Sequence, residues 1–183
     1  MKRVVIVVGH SFNDKGAYNK ELNIYEYDYC MKVALNIFSK EEWNDIDLIL
    51  KSRNKSYSNL PIEINSLNPD YIIELHLNSV NDKQIQGSEH LYYHSSNRGK
   101  KMASILQKNC VDIFKLKDRG LKAIKKGDRG NEILEKTKAP CIITEPFFIS
   151  NFNKNNKNIL DDYLDKYIKY IKKSIREIVD NNI

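Results

Sequence analysis

The chain opens with a short apolar run, RVVIVV at residues 3–8, which ends at Gly9-His10. A β-branched run of this length without a polar interruption is typical of a strand that is covered on both faces. We therefore expect residues 3–8 to form a central strand of a parallel sheet. His10 would then lie at the carboxyl end of that strand, where open α/β sheets carry their sites.

Farther along the chain, strand patterns alternate with helix patterns. Apolar residues at helical spacing predict long helices at 22–39, 97–114 and 160–179, and a short helix from 60 to 67. β-rich runs predict strands at 45–50, 71–77, 88–94 and 141–144. The basic, glycine-punctuated segment 115–138 is expected to be mostly loop, with one short strand or helical turn near residue 133. This alternation predicts an α/β fold with a twisted, mainly parallel central sheet and helices on both faces.

Length and composition exclude several classes of protein. A chain of 183 residues has the usual size of one domain, so we expect a single domain over 1–183. No segment approaches the roughly 20 apolar residues that span a bilayer, and the run at 4–8 is too short for a signal peptide. Three scattered cysteines predict neither a disulfide framework nor a thiolate zinc site. The net charge of +6 comes with no recognition motif for nucleic acid, so no nucleic-acid partner is expected.

Four residues that bind metals or transfer protons fall at the ends of predicted elements. His10, His76 and Glu145 each follow a strand, and Glu26 lies near the start of the first long helix, on the same side of the sheet. Two imidazoles and a carboxylate form a common catalytic zinc shell, and a further carboxylate can take the proton of an attacking water. By spacing alone, structural histidines remain an alternative.

Six segments of the chain carry a more specific pattern, because their order and spacing match as well as their residues. They are VIVVGHSFNDKGA (5–17), EYD (26–28), YIIELHLNS (71–79), GSEHLYY (87–93), RGLK (119–122) and APCIITEPFFISN (139–151). Together they resemble the zinc-dependent N-acetylmuramoyl-L-alanine amidases of bacterial wall hydrolases and phage endolysins. The resemblance implies a single catalytic amidase domain that cuts peptidoglycan between N-acetylmuramic acid and L-alanine.

The resemblance also implies roles for individual residues. Zn²⁺ would be bound by His10, Glu26 and His76, with Glu145 as the general acid/base. Substrate-binding candidates are Asn78, Arg119 and Lys122, the last two as donors to a carboxylate or lactyl oxygen of the substrate. Ordinary solvated charges are the alternative for Arg119 and Lys122.

Two carboxylates near the predicted ligands leave alternatives open. Glu21 competes with Glu26 as the metal ligand, and Glu26 is favoured because Asp28 follows it as in the family motif. Glu74 shares a strand face with His76, so it either orients a ligand or pairs with a surface lysine.

Other positions are expected to lie outside the metal shell or to depart from the family. His90 and His94 share a face of the strand at 88–94 and are expected to be rim or surface residues. Ser11-Phe12 and Phe147 stand where the family usually has glycine-rich sequence or glycine, so we expect the fit to substrate to differ there.

Alternative functions are a zinc carboxypeptidase-like hydrolase or an inactive wall-binding module, and Glu145 argues against the latter. With no visible signal peptide, we expect synthesis in the cytoplasm and action on the wall after release, as in a phage endolysin or an autolytic enzyme. Neither the oligomeric state nor the preferred stem peptide follows from these residues.

Overall fold

The computed structural model describes residues 1–38, 43–54 and 56–183. The strands are β1 (Lys2–Val8), β2 (Tyr18–Asn19), β3 (Ile24–Tyr25), β4 (Ile46–Ser52), β5 (Tyr71–Leu75), β6 (Ser88–Tyr93), β7 (Asp118–Ile124) and β8 (Cys141–Glu145). The α-helices are α1 (Glu26–Ile37), α2 (Leu60–Ser66), α3 (Asn97–Phe114), α4 (Asn131–Lys136) and α5 (Lys157–Asp180). Short 3-10 helices occur at Tyr57–Asn59, Ile149–Asn151 and Lys154–Asn156.

Six of these strands form one central sheet in the order β4-β1-β5-β8-β6-β7. Strands β4, β1, β5 and β8 are parallel, whereas β6 runs antiparallel to β8 and β7 runs parallel to β6. The amino ends of β6 and β7 therefore lie at the same edge of the sheet as the carboxyl ends of β1, β5 and β8. The predicted α/β fold with a mainly parallel sheet is confirmed.

Both faces of the sheet are covered by helices, and β1 contributes to both cores. Val4, Ile6 and Val8 belong to a large cluster that includes residues of α1, α3 and α5. Val5 and Val7 belong to a smaller cluster with residues of α2 and α4 on the opposite face. This alternation explains why β1 is apolar at every position from Val4 to Val8.

Several predicted boundaries are wrong. The first helix begins at Glu26 instead of residue 22, because the preceding residues pair as the antiparallel strands β2 and β3. Its predicted end, Ser39, lies outside the described residues. The segment 115–138, expected to be mostly loop, contains all of β7, whereas α4 confirms the helical turn expected near residue 133. Strand β7 was missed because it lies at the sheet edge and is only partly buried, so it lacks an apolar run.

The strand predicted at 71–77 ends at Leu75, so His76 lies just beyond it. The backbone there remains tied to β8 and its continuation, because His76 N donates to Thr144 O over 3.1 Å and Asn78 N donates to Phe147 O over 3.0 Å. No helix in the described part of the chain is both long and apolar enough to cross a membrane.

Candidate active site

The three predicted ligands converge at the carboxyl edge of the sheet. Nδ1 of His76 lies 2.8 Å from one carboxylate oxygen of Glu26, and Nε2 of His10 lies 3.1 Å from the other. One ligand atom from each residue falls within 4.8 Å of the other two, a separation that allows all three to contact a single ion. The structure therefore brings Glu26 to the histidines, whereas Glu21 is exposed.

Glu26 is fixed by the backbone around it. Its side chain is 1% exposed and accepts hydrogen bonds from Ala17 N (3.0 Å) and Leu77 N (2.9 Å), one on each oxygen. The Glu26 amide in turn donates to Ala17 O over 2.8 Å, which connects the start of α1 to the loop after β1. The carboxylate is thus held in place before any ion binds.

Two glycines make room for the imidazole rings. A Cβ atom at Gly9 would overlap the His76 ring. At Gly16, whose φ is +71°, a Cβ would overlap the His10 ring and lie 2.7 Å from Glu26 Oε2. Close approach of backbone to the ligands explains why glycine occupies both positions.

The surroundings of Glu26 and His76 shift the pKa values of both groups. Burial alone would raise the pKa of Glu26, but the His10 and His76 rings beside it lower that pKa well below its usual range. Burial alone would lower the pKa of His76, but the carboxylates of Glu74 and Glu26 raise it well above its usual value. Without a metal ion, these groups favour a protonated imidazole beside an ionised carboxylate.

The donor atoms fit a metal ion better than they fit one another. His10 Nε2 is buried and makes no hydrogen bond of acceptable geometry, although Glu26 Oε2 is 3.1 Å away. Two nitrogen donors and one carboxylate on one side, with His10 and His76 lining an open cavity on the other, match a catalytic site that keeps a position for water.

Glu145 lies at the end of β8 and lines the same cavity, whose volume is about 530 Å³. Its side chain is 8% exposed, and its Oε2 atom is buried without a hydrogen-bond partner. Burial raises the pKa of Glu145 to about 8, despite the opposing effect of His76. An unpaired carboxyl group with a pKa in this range can both accept and return a proton near neutral pH.

Glu89 is a cavity residue that sequence analysis missed. It accepts from Asn78 Nδ2 (2.8 Å) and from Arg119 Nε (2.8 Å), and Lys122 Nζ lies 3.8 Å from its Oε2 atom. All three predicted substrate-binding residues therefore contact the carboxylate of Glu89. Glu89 lies in the segment 87–93, which resembles the family. It was not singled out because it is not part of the predicted set of metal ligands.

Glu74 contacts His76 and no lysine within the described residues. It is 1% exposed, and its Oε2 atom lies 3.6 Å from His76 Nε2 without forming a hydrogen bond. The alternative of a surface ion pair is therefore wrong, because Glu74 is buried. Beneath it, the hydroxyl of Tyr167 from α5 donates to His76 O over 3.1 Å and lies 2.7 Å from Thr144 Oγ1.

Two expectations about neighbouring positions are corrected. His90 is fully buried under α3 with its Nδ1 2.6 Å from Gln107 Oε1, so it is not a rim residue, whereas His94 is exposed. Phe147 is also fully buried and packs in the aromatic core instead of lining the cavity. Phe12 does lie at the surface, 74% exposed, on the loop that follows His10.

Comparison with known proteins identifies the family of the chain. Residues 4–177 match the model of a family described as N-acetylmuramoyl-L-alanine amidase. The chain belongs to this family. The match spans the amidase segments from β1 to α5, so it includes every candidate ligand and Glu145.

Three solved amidase structures share the fold along nearly their whole length. The N-acetylmuramoyl-L-alanine amidase from Clostridium difficile 630 is 26% identical, with a TM-score of 0.85 over 98% of this chain and 97% of that chain. The catalytic domain of CwlV from Bacillus (Paenibacillus) polymyxa var. colistinus is 22% identical, with a TM-score of 0.83 over 98% and 99%. The catalytic domain of the CD27L endolysin targeting Clostridia difficile is 24% identical, with a TM-score of 0.76 over 97% and 98%. A search of curated protein sequences found no match.

Proposed function

We propose that this amidase hydrolyses the bond between the lactyl group of N-acetylmuramic acid and L-alanine, with Zn²⁺ held by His10, Glu26 and His76. The observation that carries the proposal is the convergence of these three donors at a cavity that His10, His76 and the buried carboxyl of Glu145 line together. Family membership supports peptidoglycan as the substrate. It favours this reaction over a carboxypeptidase-like one, and Glu145 argues against an inactive module.

Bound zinc would supply a Lewis acid that acidifies a water molecule and polarises the scissile carbonyl. Glu145 takes the proton of the attacking water and returns it to the nitrogen of L-alanine as that amine leaves. Its position inside the cavity, without a hydrogen-bond partner on Oε2, leaves it available for this transfer. Glu74 acts through His76 by holding a negative charge next to the imidazole.

Substrate binding is assigned to the residues that meet on Glu89. Asn78, Arg119 and Lys122 have their polar groups directed to one wall of the cavity by that carboxylate. Their remaining donors are available to the carbonyl and hydroxyl oxygens of the muramoyl group. We further propose that residues 1–183 form one catalytic domain that acts on the cell wall after release.

The test combines metal analysis with product analysis on purified cell walls. The protein should contain one zinc ion per chain and should release new L-alanine amino termini from the walls. Glu145→Ala should keep the zinc and lose activity by about 100-fold or more. Glu21→Ala, a matched exposed carboxylate, should keep both. A zinc-loaded protein that releases no L-alanine termini would contradict the proposal.

A further inference from the structure

The loop at residues 125–130, between β7 and α4, forms one wall of the cavity. Asp128 organises this loop, because its Oδ2 accepts from Lys125 N over 2.8 Å and its amide donates to Lys125 O over 3.1 Å. Gly130 lies against β8, and a Cβ atom built there would be 2.8 Å from Ile143 Cδ1. The loop is therefore held close to the strand that ends in Glu145, with Arg129 lining the cavity.

Arg129 differs from the other cations that line the cavity. Arg53 is paired with Asp14 at 2.7 Å, and the two other cations are paired with Glu89 as described above. Across the described residues, no hydrogen bond or ion pair within 4.0 Å engages the Arg129 guanidinium. Its charge nevertheless reaches the reaction centre, because it is one of the groups that lower the pKa of Glu145. The cavity thus presents one cation without a matching anion.

Apolar side chains line the cavity near the Arg129 loop: Leu91, Ile124 and Ile143 belong to its lining, and atoms of Ile143 and Leu91 lie within 4.0 Å of a Cβ built at Gly130. The Ile143 side chain also shares a strand face with Glu145, so it connects this loop to the reaction centre. A ligand that fits here has a small or apolar group next to the reaction centre and an anion beyond it. A guanidinium in this setting binds a carboxylate through paired hydrogen bonds.

We propose that Arg129 binds the free α-carboxylate of the D-glutamyl residue that follows L-alanine in the peptidoglycan stem, and so selects non-amidated stems. This inference rests on the proposed function, because that reaction places L-alanine over the apolar surface. The carboxylate then lies about 7 Å along the chain from the scissile nitrogen, at roughly 3.5 Å per residue. A cavity of about 530 Å³ is large enough to hold a peptide segment of this length.

A pair of nearly isosteric substrates tests the inference. Muramoyl-L-alanyl-D-glutamyl-L-lysine carries the carboxylate, and the matching D-isoglutamine compound carries an uncharged amide in its place. The zinc-loaded wild type should hydrolyse the acid with a kcat/KM about tenfold higher than that of the amide. Arg129→Gln should lose this preference by slowing the acid alone, and Arg129→Lys should retain part of it. Lys126→Gln, an exposed cation of the same loop outside the cavity lining, should behave as wild type.

The outcomes separate the two proposals. Equal rates for acid and amide in the wild type overturn the role of Arg129 and leave the amidase activity intact. The role is equally overturned if Arg129→Gln slows both substrates alike and shifts the pH profile, since Arg129 would then act only on Glu145. Hydrolysis of neither substrate contradicts the proposed function itself.

Discussion

Glu89 and Glu145 lie directly opposite each other on the antiparallel strands β6 and β8. The pairing places a carboxylate that binds cations beside the carboxyl group proposed to move protons. The charge of Glu89 is one of the groups that raise the pKa of Glu145, after burial itself. Glu89 therefore contacts the proposed substrate-binding residues and also raises the pKa of Glu145.

Replacing Glu89 by Gln should shift the pH dependence of the reaction. Removal of its charge, and the release of the cations now paired with it, both lower the pKa of Glu145. The acidic limb of the kcat/KM profile should therefore move to lower pH, while kcat/KM at neutral pH falls about tenfold through loss of the Arg119 anchor. Glu132→Gln, at a surface ion pair with Lys136, serves as the control. An unchanged limb would show that Glu89 does not influence Glu145.

Zinc affinity should depend on Glu26 and not on Glu21. Glu26→Gln keeps the shape of the side chain, but its single oxygen can accept from only one of the Ala17 and Leu77 amides, so the Tm of the variant is measured alongside its zinc affinity. Loss of the anionic ligand should weaken zinc binding by about 100-fold or more, measured by competition with a chromogenic chelator. Glu21→Gln should bind as wild type. The assignment fails if the two variants bind zinc equally well.

Zinc binding should release protons and should weaken in acid. The raised pKa of His76 means that its imidazole is protonated at neutral pH in the metal-free protein, and zinc must displace that proton. Below the raised pKa, affinity should therefore fall up to about tenfold for each unit by which the pH drops. Calorimetry in buffers of different ionisation enthalpy measures the released proton directly. His94→Ala, an exposed histidine, should leave the release unchanged, and a constant affinity from about pH 6 to about pH 8 would contradict the assignment.

Gly16→Ala should weaken zinc binding in addition to lowering the stability of the fold. A left-handed conformation costs a non-glycine residue about 1–2 kcal/mol, and here the new methyl also overlaps the His10 ring. Gly127→Ala is a matched control, because its φ is +94° but no atom lies within 4 Å of the added Cβ. Both variants should lower the Tm, but only Gly16→Ala should also lower zinc affinity. Equal zinc affinity in both would contradict this account.

The convergence of the proposed metal donors could be predicted because each has a local signal. His10, His76 and Glu145 each follow a mostly apolar run, and Glu26 is followed two residues later by Asp28, a pattern that Glu21 lacks. Those signals are short-range, and they depend only on strand periodicity and on motif spacing. The mainly parallel sheet followed from the same alternation.

Residues on the reversed strands could not be predicted in this way. The direction of β6 relative to β8 depends on long-range packing, and it alone brings the start of β6, with Glu89, to the site. His90, one position later, consequently faces α3 and meets Gln107. Arg129 lies in a loop that packs against Ile143 of β8 through Gly130. The sequence of the loop has no periodic pattern from which this contact could be predicted.

The hydrogen bond from Tyr167 to His76 O has a consequence for synthesis of the chain. All four proposed catalytic and ligand residues leave the ribosome before residue 146, but the helix that supports His76 begins only at Lys157. A nascent chain therefore contains all four of these residues before it contains α5, the helix that supports His76. The hydrolase should mature late, when translation has delivered α5 and this helix has docked against the sheet.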